Sequence, residues 1–319
     1  MARTRKSKGI RKARFEKKDR YEAITAQIVK ALEDGAVPWH RPWDAGVGMP
    51  HNGASGHCYS GINLWLTWAS GHMDPRWFTF NQTKKFGTAH VRKGEKGTMI
   101  FKWLFLKKTV KEDDTDGNEV ERNRTVPILK TFTVFNYAQI EWDSDHMPKG
   151  VELKDIDPEA ACVEAASLVA KTGAKIKHGG GRAFYRPSDD FIGMPEPGAF
   201  EDANAYWATM LHEVTHWTGH GSRCARNLGN RFGSEAYAAE ELVAEMGSAF
   251  LCTDLGVAGK LQHAGYVADW IKVLKNDKYA LFTAARLARE AVTFAKGEKA
   301  TKTETADPTA IETAEAKAA

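Results

Sequence analysis

The spacing of apolar residues divides the chain into helical and extended segments. In YEAITAQIVKALEDGAVPW the apolar residues Ile24, Ile28 and Leu32 recur at every fourth position, which predicts a helix with one buried face. Gly35 and the proline that follows it predict the end of that helix. The apolar segment SGINLWLTWAS predicts a second, shorter helix.

Two long strands follow from a different pattern. Residues 97–110 and 124–140 are rich in β-branched and aromatic side chains, which predicts strands, and the acidic, glycine-containing segment between them predicts a hairpin loop. After residue 157 come a helical pattern, a short extended piece and at least three further helices.

These elements predict an α+β protein with two domains. The N-terminal domain is α+β and the C-terminal domain is mainly helical. The expected segments are a basic disordered arm (1–20), the N-terminal domain (21–145), a linker without periodicity (146–157), the C-terminal domain (158–295) and a disordered tail (296–319).

Length and composition narrow the class of protein. A chain of 319 residues is long enough for two cores. It contains no apolar run near the ~20 residues that span a bilayer, and the charged N-terminus has no apolar segment of a secretory signal behind it. The four cysteines form no CxxC pair, which argues against a disulfide framework or a thiolate zinc site. We therefore expect a cytoplasmic protein without a membrane partner.

The net charge of +4 conceals an asymmetry between the two halves. Residues 1–145 contain 25 Lys and Arg against 17 Asp and Glu, whereas the remainder contains 20 against 24. Ten of the basic residues lie in the first twenty positions. Such an arm is either a solvated tail or an electrostatic contact for a polyanion.

The segment MLHEVTHWTGH contains the motif HExxH. His212 and His216 lie one turn apart on one helix face, so that both imidazoles can reach one metal ion. Glu213 can accept a proton from the attacking water, as in zinc peptidases. Asn204 or Asp202 is expected to cap the helix.

A third ligand must come from elsewhere in the chain. The pattern HExxHxxGxxH fails because residue 222 is serine, and we expect His220 to lie beyond the helix as an outer hydrogen-bond donor. The helical segment SEAYAAEELVAEMGSAFLC offers Glu241 and Glu245 on one face. We favour Glu241 as the ligand and Glu245 as the acceptor behind a ligating histidine, although the two roles can be exchanged. Glu240 is expected to be solvated.

Residues 76–108 favour binding of single-stranded nucleic acid. They hold nine Lys and Arg against the single acid Glu95, with aromatic residues between them, and single strands are bound by positive grooves with stacking aromatic faces. In the proline-rich PWHRPWD, Trp39 and Trp43 flank Arg41 and are the preferred stacking candidates. The basic candidates for DNA contact are Lys84, Lys85, Arg92, Lys93 and Lys96.

Several motifs in order resemble one family. HEVTHWTGHGSRCARN, YAAEELVAEMGSAFL and YVADWIKVLKNDKYALFTAARLAREA are similar to the C-terminal half of ArdC-type antirestriction proteins of conjugative plasmids. WHRPW, NLWLTW, TFNQTKKFG and VRKGEKGTMI resemble the single-stranded-DNA-binding domain of the same family, which some plasmid primases share. The resemblance covers about residues 20–295.

The resemblance implies protection of incoming plasmid DNA from host restriction and a zincin-like metallopeptidase domain. It maps His212, His216 and Glu241 to metal ligands and Glu213 to the base. One divalent ion is expected, Zn²⁺ or alternatively Mn²⁺, and host restriction proteins are candidate partners besides single-stranded DNA. Two alternatives are a DNA-binding protein with a structural or vestigial metal site, and a nuclease. An intact Glu213 argues against the first, and a single HExxH metal argues against the second.

Overall fold

The computed structural model describes residues 19–35, 48–113, 119–148, 157–228, 235–258 and 266–299. Three of the DNA-contact candidates, Trp39, Arg41 and Trp43, lie outside these ranges. The same holds for the basic arm up to residue 18, most of the expected linker, and the tail from residue 300.

Eight α-helices are present in the described residues. They are α1 (Arg20–Glu33), α2 (Ile62–Ala69), α3 (Phe80–Thr83), α4 (Pro158–Thr172), α5 (Ala203–Thr218), α6 (Glu235–Leu255), α7 (Val267–Asn276) and α8 (Ala280–Ala295). Among the described residues, no helix has the length and apolar character needed to cross a bilayer.

The strands form three separate sheets. They are β1 (His51–Asn52), β2 (Arg76–Thr79), β3 (His90–Val91), β4 (Thr98–Asp113), β5 (Glu119–Asn136), β6 (Ile140–Glu141), β7 (Lys175–His178), β8 (Phe184–Arg186) and β9 (Phe191–Met194). The first sheet has the order β1-β2-β5-β4, the second pairs β3 with β6, and the third has the order β7-β9-β8. The long antiparallel pair β4–β5 forms the predicted hairpin, but its strands continue to Asp113 and from Glu119, through much of the segment that was predicted as a loop. The α+β class is confirmed.

Local sequence signals account for the ends of the helices. The Asp157 side chain accepts a hydrogen bond from Glu159 N at the start of α4, and Pro158 occupies the first helical position. Gly173 ends the same helix with φ of 71°, in the left-handed region that favours glycine. In α1, the residues Ile24, Ile28 and Leu32 are buried as their spacing predicts.

The mainly helical C-terminal part contains a three-stranded sheet, of which the sequence pattern predicted only a short extended piece. The extended piece is a β8–β9 hairpin, and β9 also pairs in parallel with β7. Strand β7 is only four residues long and its side chains are mostly exposed, so it has no alternating apolar pattern. A polar strand of this length is specified by backbone pairing, which the sequence does not display.

One hydrophobic core joins the two predicted domains. It contains buried residues of α1, α2, β2, β4 and β5 together with buried residues of α6, α7 and α8. The Phe250 ring of α6 lies 5.8 Å from Trp65 and 6.0 Å from Trp68 of α2, measured between ring centroids. Phe101 of β4 meets Phe282 of α8 in the same way at 5.6 Å. The two halves therefore stabilise each other through aromatic side chains.

This shared core predicts one cooperative unfolding transition for both halves. Phe250→Leu removes the ring between α2 and α6 and should lower the free energy of unfolding by about 1 kcal/mol. Circular dichroism and metal release should report the same, equally shifted midpoint in a thermal scan. Phe294→Leu makes the same change at a ring that is exposed, and it should leave the midpoint unchanged. Two separate transitions, with only one of them shifted, would contradict a common core.

Candidate metal centre

Helix α5 places the two histidines of HExxH on one face. The helix begins after Asp202, whose side chain accepts a hydrogen bond from Ala205 N at 2.7 Å. Of the two expected caps, Asp202 is thus the one used. The helix ends before Gly219. Between these ends His212 and His216 lie four residues apart, and their rings meet edge to face.

A carboxylate of α6 completes a cluster with the two imidazoles. The Nε2 atoms of His212 and His216 lie 3.2 Å apart. The two oxygens of the Glu241 carboxylate each lie 3.6 Å from one of these nitrogens. Within the described residues this is the group of His, Cys, Asp and Glu side chains whose ligand atoms converge closely enough to hold a metal ion.

The donor set fits a divalent metal. Two ligands that are each about 2.05 Å from a tetrahedrally coordinated Zn²⁺ lie about 3.3 Å apart, which is close to the separation of the two Nε2 atoms. Two imidazole nitrogens and one carboxylate oxygen are also the protein ligands of known catalytic zinc sites, which keep a fourth position for water. Glu241 therefore lies close enough to both imidazoles to act as the third ligand, and its assignment stays a prediction.

Glu240 is buried, and the prediction that it is solvated was wrong. Its side chain is 4% exposed, and Oε1 accepts a hydrogen bond from His216 Nδ1 at 3.2 Å. Because a carboxylate only accepts, Nδ1 carries a proton, which leaves Nε2 as the ring nitrogen that can bind a metal ion. Helix α6 is buried on all sides at this point, so a residue a quarter turn from Glu241 still faces protein.

Arg226 holds Glu240 in place. Its guanidinium donates to both carboxylate oxygens of Glu240, from Nε at 3.0 Å and from Nη2 at 2.8 Å. It also donates to Thr218 Oγ1 and to the Thr215 carbonyl oxygen, at the C-terminal end of α5. The chain Arg226–Glu240–His216 thereby fixes the orientation of one ligand. Arg226 lies in a loop, where no local pattern assigns it this role.

Two glycines permit the close packing around the centre. A Cβ at Gly247 of α6 would come 2.5 Å from Thr215 Cγ2, so glycine lets α5 and α6 approach. A Cβ at Gly219 would collide with Leu228 and Arg226, so glycine there admits the guanidinium that holds Glu240.

The charges of the site call for a cation. Burial disfavours a charged His216, but hydrogen bonds to Glu240 and Glu241 outweigh burial and raise the pKa of His216 to about 10. Burial also opposes charge on Glu241, yet hydrogen bonds from His212 and His216 hold the pKa of its carboxyl well below the usual range. Because Arg226 is paired with Glu240, the Glu241 carboxylate is the anionic group that a cation bound between the two imidazoles would meet.

Three further residues were predicted to belong to the site: Glu213, Glu245 and His220. Glu213 follows the first ligand on α5 and is 7% exposed. Glu245 is fully buried one turn beyond Glu241 on α6. His220 bonds the side chain and the backbone amide of Ser222 instead, and among the described residues it makes no hydrogen bond or ion pair with the three ligands.

Two tyrosines beside the ligand carboxylate were not singled out in the sequence. The hydroxyl oxygens of Tyr237 and Tyr266 lie 3.3 Å apart. Burial first, then the hydrogen bond to Tyr266 and the charge of Glu241, raise the pKa of Tyr237 above its usual range. Tyr237 precedes Glu241 by four residues on α6, and this spacing is a signal that could have indicated it.

The basic candidates of the N-terminal half lie on the surface. Lys84, Lys85, Lys93 and Lys96 are exposed, as is Arg92. Arg92 also forms an ion pair with Glu95 at 2.8 Å, which offsets part of its charge.

The aromatic residues between these basic positions are divided between core and surface. Trp77, Phe78 and Phe101 are buried, whereas Phe80 is 51% exposed and lies beneath Lys84 Nζ at 4.9 Å from its ring centroid.

Both halves of the chain are similar to known protein domains. Residues 18–135 match the N-terminal domain of anti-restriction factor ArdC, and residues 163–287 match a zincin-like metallopeptidase domain. The crystal structure of antirestriction ArdC protein from plasmid R388 in its metal-free form has a TM-score of 0.69 and 34% sequence identity, covering 88% of this chain and 100% of that chain. The chain belongs to the ArdC antirestriction family. The prediction of two domains is thereby confirmed.

Other relatives extend the comparison. The Mn(II)-bound crystal structure of the same R388 ArdC protein has a TM-score of 0.67 and 36% identity, covering 88% of this chain and 97% of that chain. The uncharacterized protein y4eC of Sinorhizobium fredii is 39% identical over 288 residues, which are 85% of this chain and 90% of y4eC. The zincin-like domain, the Mn(II)-bound relative and the convergent ligands together support a divalent-metal site in this ArdC family member.

The chain is also similar to part of a much longer protein. DNA primase TraC of Escherichia coli is 42% identical over 284 residues, which are 84% of this chain and 26% of TraC. The chain thus spans about a quarter of the length of this relative.

Proposed function

We propose that this protein binds single-stranded DNA, protects incoming plasmid DNA from host restriction, and uses a zinc-dependent peptidase centre in doing so. The observation that carries the proposal is the convergence of His212, His216 and Glu241 beside Glu213. The centre belongs to a chain whose other half presents exposed basic residues and an exposed aromatic ring.

Zinc is the proposed metal, with Mn²⁺ as the alternative. Imidazole nitrogen suits zinc, and two such ligands with one carboxylate leave an open position for catalysis. When bound, the ion supplies Lewis-acid polarisation of water and of the scissile carbonyl group. Glu213 is proposed to accept the proton of the attacking water and to return it to the leaving amine. Glu240 and Arg226 keep His216 in its ligating orientation.

The exposed basic residues of the N-terminal half predict salt-dependent DNA binding. In the full-length protein, joint replacement by alanine should weaken single-stranded DNA binding and flatten its dependence on salt. Each phosphate contact contributes about 0.7 to the slope for single strands, so five lost contacts lower it by up to about 3.5. Fluorescence anisotropy at several salt concentrations measures both effects. The residues to replace are Lys84, Lys85, Arg92, Lys93 and Lys96.

A charge-matched control separates local contact from net charge. Five exposed lysines of the C-terminal half are replaced by alanine together, and the salt slope should then change little. If the salt slope of DNA binding falls equally in both variants, the basic region is only a solvated face without local contacts to DNA. The control residues are Lys171, Lys175, Lys177, Lys272 and Lys299.

Phe80 is the proposed stacking platform for a base. Its ring is half exposed beside Lys84, which combines a π face with a phosphate-binding charge. Phe80→Ala should weaken single-stranded DNA binding by the 1–3 kcal/mol of one stacked base, which is about 5- to 150-fold. Anisotropy titrations of a labelled oligonucleotide measure this. Phe294→Ala removes a ring of α8 that is 43% exposed and should have no effect on DNA affinity. Unchanged affinity in Phe80→Ala would exclude this platform.

Protection of incoming DNA is tested during plasmid transfer. The wild type is compared with Glu213→Gln and with the five-residue basic variant in a recipient that has a restriction system. We propose that DNA binding brings the hydrolytic centre to proteins that gather on the entering strand, by raising their effective concentration. Protection should then fall in both variants. Full protection by Glu213→Gln would indicate that DNA binding protects the plasmid without hydrolysis, and it would favour a structural role for the metal.

A further inference from the structure

A cavity of about 550 Å³ lies between the three-stranded sheet and the first turns of α5. Its volume is within the range of roughly 300–1,000 Å³ that is typical of small-ligand sites. Apart from one proline and one alanine, it is lined by His178, Glu196, Phe200, Asp202, Tyr206 and Trp207. No ligand of the metal centre and no lysine or arginine is among the described lining residues.

Three aromatic rings form walls of this cavity at nearly right angles. The centroid of the Tyr206 ring lies 5.4 Å from Phe200 at an interplanar angle of 85°, and 5.0 Å from Trp207 at 82°. The Tyr206 hydroxyl lies 3.0 Å from His178 Nε2, which fixes the ring in its place against the end of β7. All three rings line the cavity, and a cation positioned over the face of an aromatic ring is attracted to it.

The acidic groups of the cavity are suited to the same kind of ligand. Glu196 is exposed, and within the described part of the chain its carboxylate has no ion-pair partner. Asp202 adds a second carboxylate, part of which caps α5. Burial, and after it the charge of Glu196, raises the pKa of Tyr206, so its phenol stays neutral. The cavity therefore combines neutral aromatic walls with a net negative charge.

We propose that this cavity binds the cationic side chain of a lysine or arginine that a polypeptide presents. The aliphatic stem of either side chain can pack on the rings while its charged end meets a π face and the Glu196 carboxylate. A purely apolar side chain could pack on the rings but would lack the interactions of the charged end. An anionic ligand such as DNA phosphate would be repelled by Glu196 and Asp202.

The position of the cavity connects it with the metal centre. Tyr206 precedes Glu213 by seven residues on α5, which is close to two helical turns, so both lie on the same side of the helix about 10 Å apart along its axis. An extended peptide covers that distance in about three residues. This step rests on the proposed peptidase function: a basic residue about three positions from the cleaved bond would then select the substrate.

Binding is measured by ligand-observed NMR on the full-length protein, independently of hydrolysis. The probes are the N-acetyl methylamides of arginine and lysine, the neutral citrulline and norleucine analogues, and free putrescine. Arginine and lysine probes should bind at least about fivefold more tightly than their neutral analogues. Trp207→Leu should weaken them by about 5- to 30-fold, and Glu196→Gln should remove their advantage over the neutral probes. Glu201→Gln removes an exposed acid outside the cavity lining and should change nothing.

Three outcomes would overturn the inference of a cation site. Equal binding of citrulline and arginine would show an apolar pocket, and binding of putrescine alone would show a polyamine site. Undiminished binding in Glu196→Gln, whose exposed side chain can change without unfolding the protein, would place the cation elsewhere. If the wild type hydrolyses no peptide, the proposed peptidase function is contradicted but the cation site is not, so the two failures are distinguishable.

Discussion

Glu213→Gln is expected to abolish peptide hydrolysis while the metal and the DNA affinity are retained. Glutamine has nearly the same shape but cannot accept a proton from water, and general-base catalysis contributes about 10²- to 10⁴-fold in rate. The proposed ligands His212, His216 and Glu241 are untouched by the change. The measurement compares cleavage of a fluorogenic peptide library, metal content by elemental analysis, and oligonucleotide affinity.

A second glutamate serves as the control for this prediction. Glu164→Gln makes the same substitution at an exposed position of α4 and should leave hydrolysis at the wild-type rate. Undiminished cleavage by Glu213→Gln, with metal present, would assign the base to another group. A loss of metal in this variant would instead show that Glu213 supports the site as well as the reaction.

Glu241→Ala is expected to lose most of its bound metal. The Glu241 carboxylate lies 3.6 Å from the Nε2 atom of each histidine. Its removal leaves two protein ligands, whereas catalytic zinc sites have three. The loss of affinity should exceed the 10- to 100-fold that outer contacts typically contribute. Elemental analysis after dialysis against dilute metal gives the occupancy, and a competition titration with a chromogenic chelator gives the affinity.

Two further glutamates of α6 make this prediction specific. Glu240→Gln weakens the acceptor behind His216 and should lower metal affinity by about 10- to 100-fold, less than Glu241→Ala does. Undiminished metal in Glu241→Ala, together with loss in Glu245→Ala, would move the third ligand to Glu245. Equal losses in all three variants would indicate unfolding of α6, and a thermal scan of each variant detects it.

The sequence by itself determined the local elements and the part of the site that lies on one helix. Apolar residues at every fourth position define the buried face of α1, and aspartate, proline and glycine at the ends of α4 define its limits. His212 and His216 need no tertiary information to share a face, because four residues make about one helical turn. The same periodicity put Glu241 and Glu245 on one face of α6.

Only the tertiary structure decided what each of these faces meets. Glu240 is buried because α6 is surrounded by other helices, and an amphipathic pattern cannot reveal this for a helix without a solvent face. Arg226 reaches Glu240 from a loop, where Gly219 leaves the space for its guanidinium, and Gly247 lets α5 and α6 approach each other. Contacts between residues far apart in the chain depend on packing, and periodicity within one segment carries no information about its partner. For the same reason, the contact between Phe250 of the C-terminal half and Trp65 of the N-terminal half is known only from the folded structure.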